Sequence, residues 1–163
     1  MSNMEAAWEK QIADLWLTID DVNSEEFINR INNLASELPA GSAIGLFERA
    51  AAQDSTGHSD KAVPLYRAAL EAGLTGLRRR RATIQMASSL RNLGNAAEAV
   101  SLLTAELHAA DDELNGAVRA FLALALVDVG REREAVDISL IALTQYLPRY
   151  NRSLVRYAQL LTI

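Results

Sequence analysis

Apolar residues recur along this chain at helical spacing from one end to the other. Met4, Trp8, Ile12, Leu15 and Trp16 step by four, four, three and one, which places them on one face of a helix over about residues 4–18. Asp20-Asp21-Val22-Asn23 interrupts that face. Asn23 followed by Glu26 predicts a helix start in which the Asn side chain and a Glu three residues on cap each other's backbone. Phe27, Ile28, Ile31, Leu34 and Leu38 then face inward over 24–38, until Pro39-Ala40-Gly41-Ser42 stops the helix. The same spacing predicts further helices over 43–56, 60–72, 76–93, 96–109, 112–129, 132–146 and 150–162, about nine in all. No period-two alternation marks a strand.

From Ala43 onward the pattern repeats. Gly57, Gly94 and Gly130 are separated by 37 and then 36 residues, and the same two intervals relate Ala50, Ala87 and Ala123, and Ala62, Ala99 and Ala135. They also relate Val63, Val100 and Val136; Leu65, Leu102 and Ile138; and Leu70, Leu107 and Leu143. A period in this range signals stacked supersecondary units. In each unit a helix closes at the Gly, a short turn follows, and a second helix carries Ala-Val and Leu at core spacing. The expected fold class is all-α: a stack of antiparallel helix hairpins. One domain spans 1–163, with a divergent N-terminal pair over 1–42, three repeats over 43–148 and a closing helix over 149–163.

These residues resemble the tetratricopeptide repeat. A small residue seven positions before the turn Gly and an Ala five after it are met by Ala50/Gly57/Ala62, Ala87/Gly94/Ala99 and Ala123/Gly130/Ala135. Tyr66 and Leu103 fill the large-residue column of the second helix, and Ser139 departs from it. The aromatic early in the first helix is replaced by Leu46, Thr83 and Arg119, and the usual spacing of 34 is stretched. The strings LFERAAAQDSTG, AVPLYRAAL, RRRRATIQMASSLRNLG, RAFLALALVDVG and LPRYNRSLVRYA are similar to the bacterial tetratricopeptide repeat group five family, over roughly 43–162. That resemblance implies an α-solenoid, a right-handed superhelix of antiparallel helix hairpins, and a protein- or peptide-binding scaffold; it brings no established biochemical activity with it.

In such repeats the first helix of each hairpin lines the concave side, which implies a groove. Its residues would be Arg81, Gln85, Ser88 and Asn92; Glu48, Ala51 and Ser55 before them; Ala117, Phe121, Leu124 and Asp128 after them; and Arg152, Arg156 and Gln159 from the closing helix. The carboxylate clamp of chaperone-binding relatives needs Lys, Asn and Arg at set positions. Those positions hold Phe47, Ala51, Gln85, Ala117 and Phe121, so a ligand offering a carboxylate and an apolar side chain suits this groove better.

Composition removes other readings. The net charge of −5 with a pI near 5.1 argues against nucleic-acid binding and against an anionic membrane surface. With no cysteine there is no disulfide and no thiolate metal site. The N-terminal stretch lacks an apolar signal region and no segment approaches a membrane span, so the expectation is a soluble, cytoplasmic protein. His58 and His108 lie 50 residues apart, too far to pair at a metal or catalytic site. Asp111, Asp112 and Glu113 lack the spacing of a calcium loop and read as the cap and first turn of a helix. Gly73 to Gly76 carries no phosphate-binding motif. Enzyme chemistry and cofactors are therefore not expected.

Arg78-Arg79-Arg80-Arg81 fan around a helix and should in part meet carboxylates. The Trp8/Trp16 stripe reads as a cap on the repeat stack, with a homodimer interface as its alternative. The apolar residues Leu160-Leu161-Thr162-Ile163 raise the same alternative of a homo-oligomer built through terminal helices.

Overall fold

The computed structural model describes residues 3–109 and 112–163, and every regular element in them is helical. In order these are α1 (Asn3–Trp16), α2 (Ser24–Ala35), α3 (Ala43–Ser55), α4 (Ser59–Glu71), α5 (Gly76–Asn92), α6 (Ala96–Ala109), α7 (Asn115–Asp128), α8 (Glu132–Thr144) and α9 (Asn151–Gln159). A 3-10 turn over Leu160–Thr162 follows α9. The chain forms two compact units, Met1–Ala82 and Thr83–Ile163, and the division falls within α5.

In the first unit α1 packs on α2, α2 on α3, and α3 on α4. Trp8, Ile12, Phe27, Ile31, Leu34 and Ala52 form a buried cluster, with Trp16 and Ile28 packed against it. Trp8 Nε1 donates to the Leu34 carbonyl at 2.9 Å, and the Trp16 ring meets Phe27 edge-on at 5.1 Å. The expected cap at Asn23 forms, its Oδ1 accepting from Glu26 N at 2.9 Å. Its reciprocal half does not form, because the Glu26 carboxylate is taken by Arg30 one turn on. The helix also ends earlier than the apolar spacing predicts. Ser36 Oγ donates to the Asn32 carbonyl at 2.7 Å, and α2 stops at Ala35 rather than Leu38.

In the second unit α6 packs on α7, α7 on α8, and α8 on α9 and the 3-10 turn. Its core includes Leu103, Val118, Leu122, Ala125 and Leu126. Two boundaries differ from expectation here. The acidic run does not open α7: the Asp112 side chain accepts from Leu114 N at 2.8 Å, forming a turn that delays the helix to Asn115, with no acid in its first turn. Asp111 lies outside the described residues. Tyr150 adopts a left-handed φ of 71°, so α9 begins at Asn151.

The repeat columns have one structural meaning in all three hairpins. Gly57, Gly94 and Gly130 take φ of 85°, 84° and 74°, the left-handed turn that closes a helix at little cost only for Gly. The residue after each returns a hydrogen bond to the preceding helix: His58 to Gln53, Asn95 to Leu90 and Arg131 to Leu126, each at 2.8 Å. The Ala columns are buried throughout, since a small residue there lets two helices approach closely.

Candidate functional site

The residues predicted to line a groove fall into both units. Arg81, in the first unit, is exposed, with its guanidinium 5.2 Å above the Phe47 ring, a cation–π distance. Of the stripe's continuation on α3, Glu48 and Ala51 are buried and offer no surface. In the second unit Gln85 and Ser88 are half-buried on α5 and Asn92 is exposed at its end. Phe121 is half-buried on α7, Leu124 and Asp128 are exposed, and Asp128 forms an ion pair with Arg91. Arg152, Arg156 and Gln159 are exposed on α9.

The α9 face is the clearest concentration of binding chemistry in the second unit. Residues 145–163 hold three arginines, Arg149, Arg152 and Arg156, and no acid, in a chain whose total is −5. Tyr146, Tyr150 and Tyr157 stand exposed among them. Asn151 Nδ2 donates to the Leu147 carbonyl at 3.0 Å, tying the start of α9 to the end of the preceding segment. Arg133 Nε reaches the Leu161 carbonyl at 2.6 Å, tying the far end to α8. The face is therefore mounted on a braced helix.

The arginine run resolves into separate tasks. Arg78 grips both oxygens of Glu9, at 2.8 and 2.6 Å, and its Nε donates to Glu48 at 3.1 Å. The other oxygen of Glu48 accepts from Trp16 Nε1 at 2.8 Å. The hydrogen bonds to Glu9 raise the Arg78 pKa above its ordinary value against the opposing effect of burial, and the neighbouring charges of Glu48 and Glu9 add to this. Arg80 is buried. Sequence reasoning anticipates carboxylate partners for the run, but Glu9 lies 69 residues from Arg78 and no local pattern connects them.

Sequence reasoning overlooks a second feature. An apolar cleft of about 470 Å³ lies between α7 and α8, lined in part by Ala120, Leu124, Val127, Val136, Ser139 and Leu140. Its signal is present in the repeat columns, where Ser139 replaces the large residue of the first two hairpins. For metal chemistry, no group of three or more His, Cys, Asp or Glu side chains among the described residues is gathered closely enough to hold an ion. His58 sits in the turn before α4 with Nδ1 3.1 Å from Thr56 Oγ1, and His108 is exposed in the last turn of α6.

Sequential helical hairpins, each closed by a left-handed Gly and packed through small residues, define a helical repeat protein. The family profile described as tetratrico peptide repeat matches residues 43–161, most of the chain, and the protein belongs to that family. Comparison with curated proteins and with solved structures finds no match. No helix among the described residues is long and apolar enough to cross a membrane.

Proposed function

We propose that this chain is a non-catalytic scaffold of the cytoplasm that binds a protein or peptide partner, without nucleic acid, membrane or cofactor. Membership in the tetratricopeptide repeat family supports the general role, since such domains generally serve as protein-interaction scaffolds. Within that role residues 1–42 act as a cap, 43–148 as three repeats and 149–163 as a closing helix. The contact residues are Arg152, Arg156 and Gln159 on α9, Phe121, Leu124 and Asp128 on α7, and Gln85, Ser88 and Asn92 on α5; Arg81, in the first unit, is proposed as a contact residue by itself.

The observation that carries this reading is the segment of residues 145–163, where exposed arginines and tyrosines lie close in sequence with no acid among them. Tyr and Arg are the side chains most enriched where proteins bind each other tightly. Arg pairs with carboxylate through two parallel hydrogen bonds, so the partner presents an acid beside an apolar group. Affinity capture from the native cell with wild type and with the Arg152→Ala/Arg156→Ala double variant tests it. The expected result is a partner held by wild type and lost by the double variant at an unchanged melting temperature. Equal retention at low salt would move the site off α9.

A homo-oligomer is the second reading, favoured by Met4 and Leu17 near one end of the chain and Tyr157 and Leu160 near the other, all exposed. Sedimentation over a hundredfold concentration range separates the two: a monomer throughout eliminates self-assembly.

A further inference from the structure

The cleft between α7 and α8 is a place where the repeat's own packing has been left unfilled. The first hairpin shows what normally fills it. There Phe47 of α3 and Tyr66 of α4 are both fully buried, ring centroids 6.3 Å apart, and the Tyr66 hydroxyl donates to Asp54 at 3.3 Å. In the second hairpin the same two columns hold Ile84 and Leu103, also buried. In the third they hold Ala120 and Ser139. Two large buried side chains have become two small exposed ones, and an open cleft stands in their place.

The rim differs as well. Val63 and Val100 are each 8% exposed, whereas their counterpart Val136 is 46% exposed. Leu124 and Val127 replace Ala51 and Asp54 of the first hairpin and are 45% and 48% exposed. Helix α9 lies against α8 and leaves this rim open. No charged side chain lines the cleft. The Ser139 hydroxyl is satisfied inside its own helix, donating to the Ala135 carbonyl at 2.7 Å, so nothing polar in the floor asks for water or for a polar ligand.

We propose that the α7/α8 cleft is a docking socket for one amphipathic helix of a partner protein, which inserts a bulky uncharged side chain, Phe or Leu in size, between Ala120 and Ser139. The hairpin's extent selects this occupant over a second copy of the chain. Helices of 13 and 14 residues are about 20 Å long, and at ordinary helix spacing the pair presents a face of roughly 400 Å². A stable interface between two proteins takes about 800 Å² from each side and an obligate homodimer more, whereas a smaller face suits a weak, transient contact. A face half that size, with a hole at its centre and apolar ridges on both sides, fits a single helix whose apolar residues recur every three to four positions. The socket shares Leu124 with the contact residues proposed above but none of the arginines on α9, so the α9 double variant and the Ser139 variant can fail separately.

The test uses the full chain and a synthetic 15-residue amphipathic helix carrying Leu-Phe-Leu at i, i+4 and i+7, with its Phe→Ala version as control. Methyl NMR and fluorescence anisotropy read the outcome. The expected result is saturable binding that shifts the Leu124, Val127 and Val136 methyl signals, weakened at least tenfold by Phe→Ala. Filling the socket from within by Ser139→Leu should weaken binding at least tenfold at an equal or higher melting temperature. Leu124→Asp, on the exposed rim, should do the same and serves if Ser139→Leu fails to fold. Unchanged binding by these variants overturns the proposal, as do methyl shifts confined to other helices or no saturable binding. So would a wild-type dimer that Leu124→Asp converts to monomer, because a second copy would then be the occupant.

Discussion

Glu48 is a buried acid, 3% exposed, and its position is tenable because each carboxylate oxygen has a donor: Arg78 on one and Trp16 on the other. Removing one partner of a buried ion pair leaves a desolvated charge, which costs far more than the pair contributes while intact. Arg78→Ala should therefore destabilise the protein by ~3 kcal/mol, a fall in melting temperature of roughly 10 °C. Lys10→Ala, which breaks only an exposed pair with Asp14, should change it by less than about 0.5 kcal/mol. Equal effects of the two variants in thermal melts would show that Glu48 is not held as described. Asp137 on α8 works in the opposite sense. Its Oδ1 is closed off without a hydrogen-bond partner among the described residues, and burial, then the charge of Glu134, raise its pKa above the ordinary carboxylate value. A carboxyl whose pKa is higher folded than unfolded binds its proton more tightly in the folded state, so stability is lost as pH rises through that range. The cost is fully present above the folded pKa and absent below the unfolded one. Asp137→Asn should raise stability slightly at pH 7, solvent screening keeping the gain small, with the gain vanishing below pH ~3.5. Paired denaturant titrations at the two pH values check it, and a gain independent of pH would assign the effect to something other than charge.

At the scale of elements, the hairpins depend on a few small residues. Ala87 is fully buried in α5, and Ala87→Phe should destabilise by roughly 1–3 kcal/mol through overpacking. Gly94 offers a complementary case. A Cβ there would meet nothing within 4 Å, yet φ is 84°, so Gly94→Ala should cost ~1–2 kcal/mol through backbone strain alone. Thermal melts of the two variants separate crowding from conformation, and a neutral Gly94→Ala would mean that the turn relaxes. These features were legible in the sequence because helix period, turn Gly and repeat interval are local signals that reinforce one another. Two helix starts were not legible, because Asp112 and Tyr150 act through turn geometry that competes with the apolar pattern. The Arg78–Glu9–Glu48 contacts were hidden for another reason: they depend on how helices pack, which period alone does not specify. The cleft lies between these cases. The Ser139 departure is visible in the columns, but only the structure shows that the position is buried at Tyr66 and Leu103 and exposed at Ser139.

At the scale of the whole molecule, the two proposed surfaces should answer differently to salt. The acidic total of the chain contrasts with the arginine-bearing residues 145–163, so a partner's carboxylates meeting Arg152 and Arg156 gain from charge attraction exposed to solvent. Such attraction is screened over about 10 Å at 0.1 M salt and about 3 Å at 1 M. Two exposed pairs at about 0.5 kcal/mol each are worth roughly a fivefold change in affinity. The α7/α8 cleft has no charged lining, and sulfate, excluded from protein surface, strengthens apolar burial. A partner seated on α9 should therefore weaken about fivefold between 0.1 and 1 M sodium chloride. The synthetic helix in the socket should hold its affinity in chloride and gain in 0.3 M sodium sulfate. Calorimetric titrations in the three buffers give both answers. An α9 partner indifferent to chloride would show that the arginines do not meet carboxylates, and a helix released by chloride would show that charge, rather than the space left by Ser139, holds it.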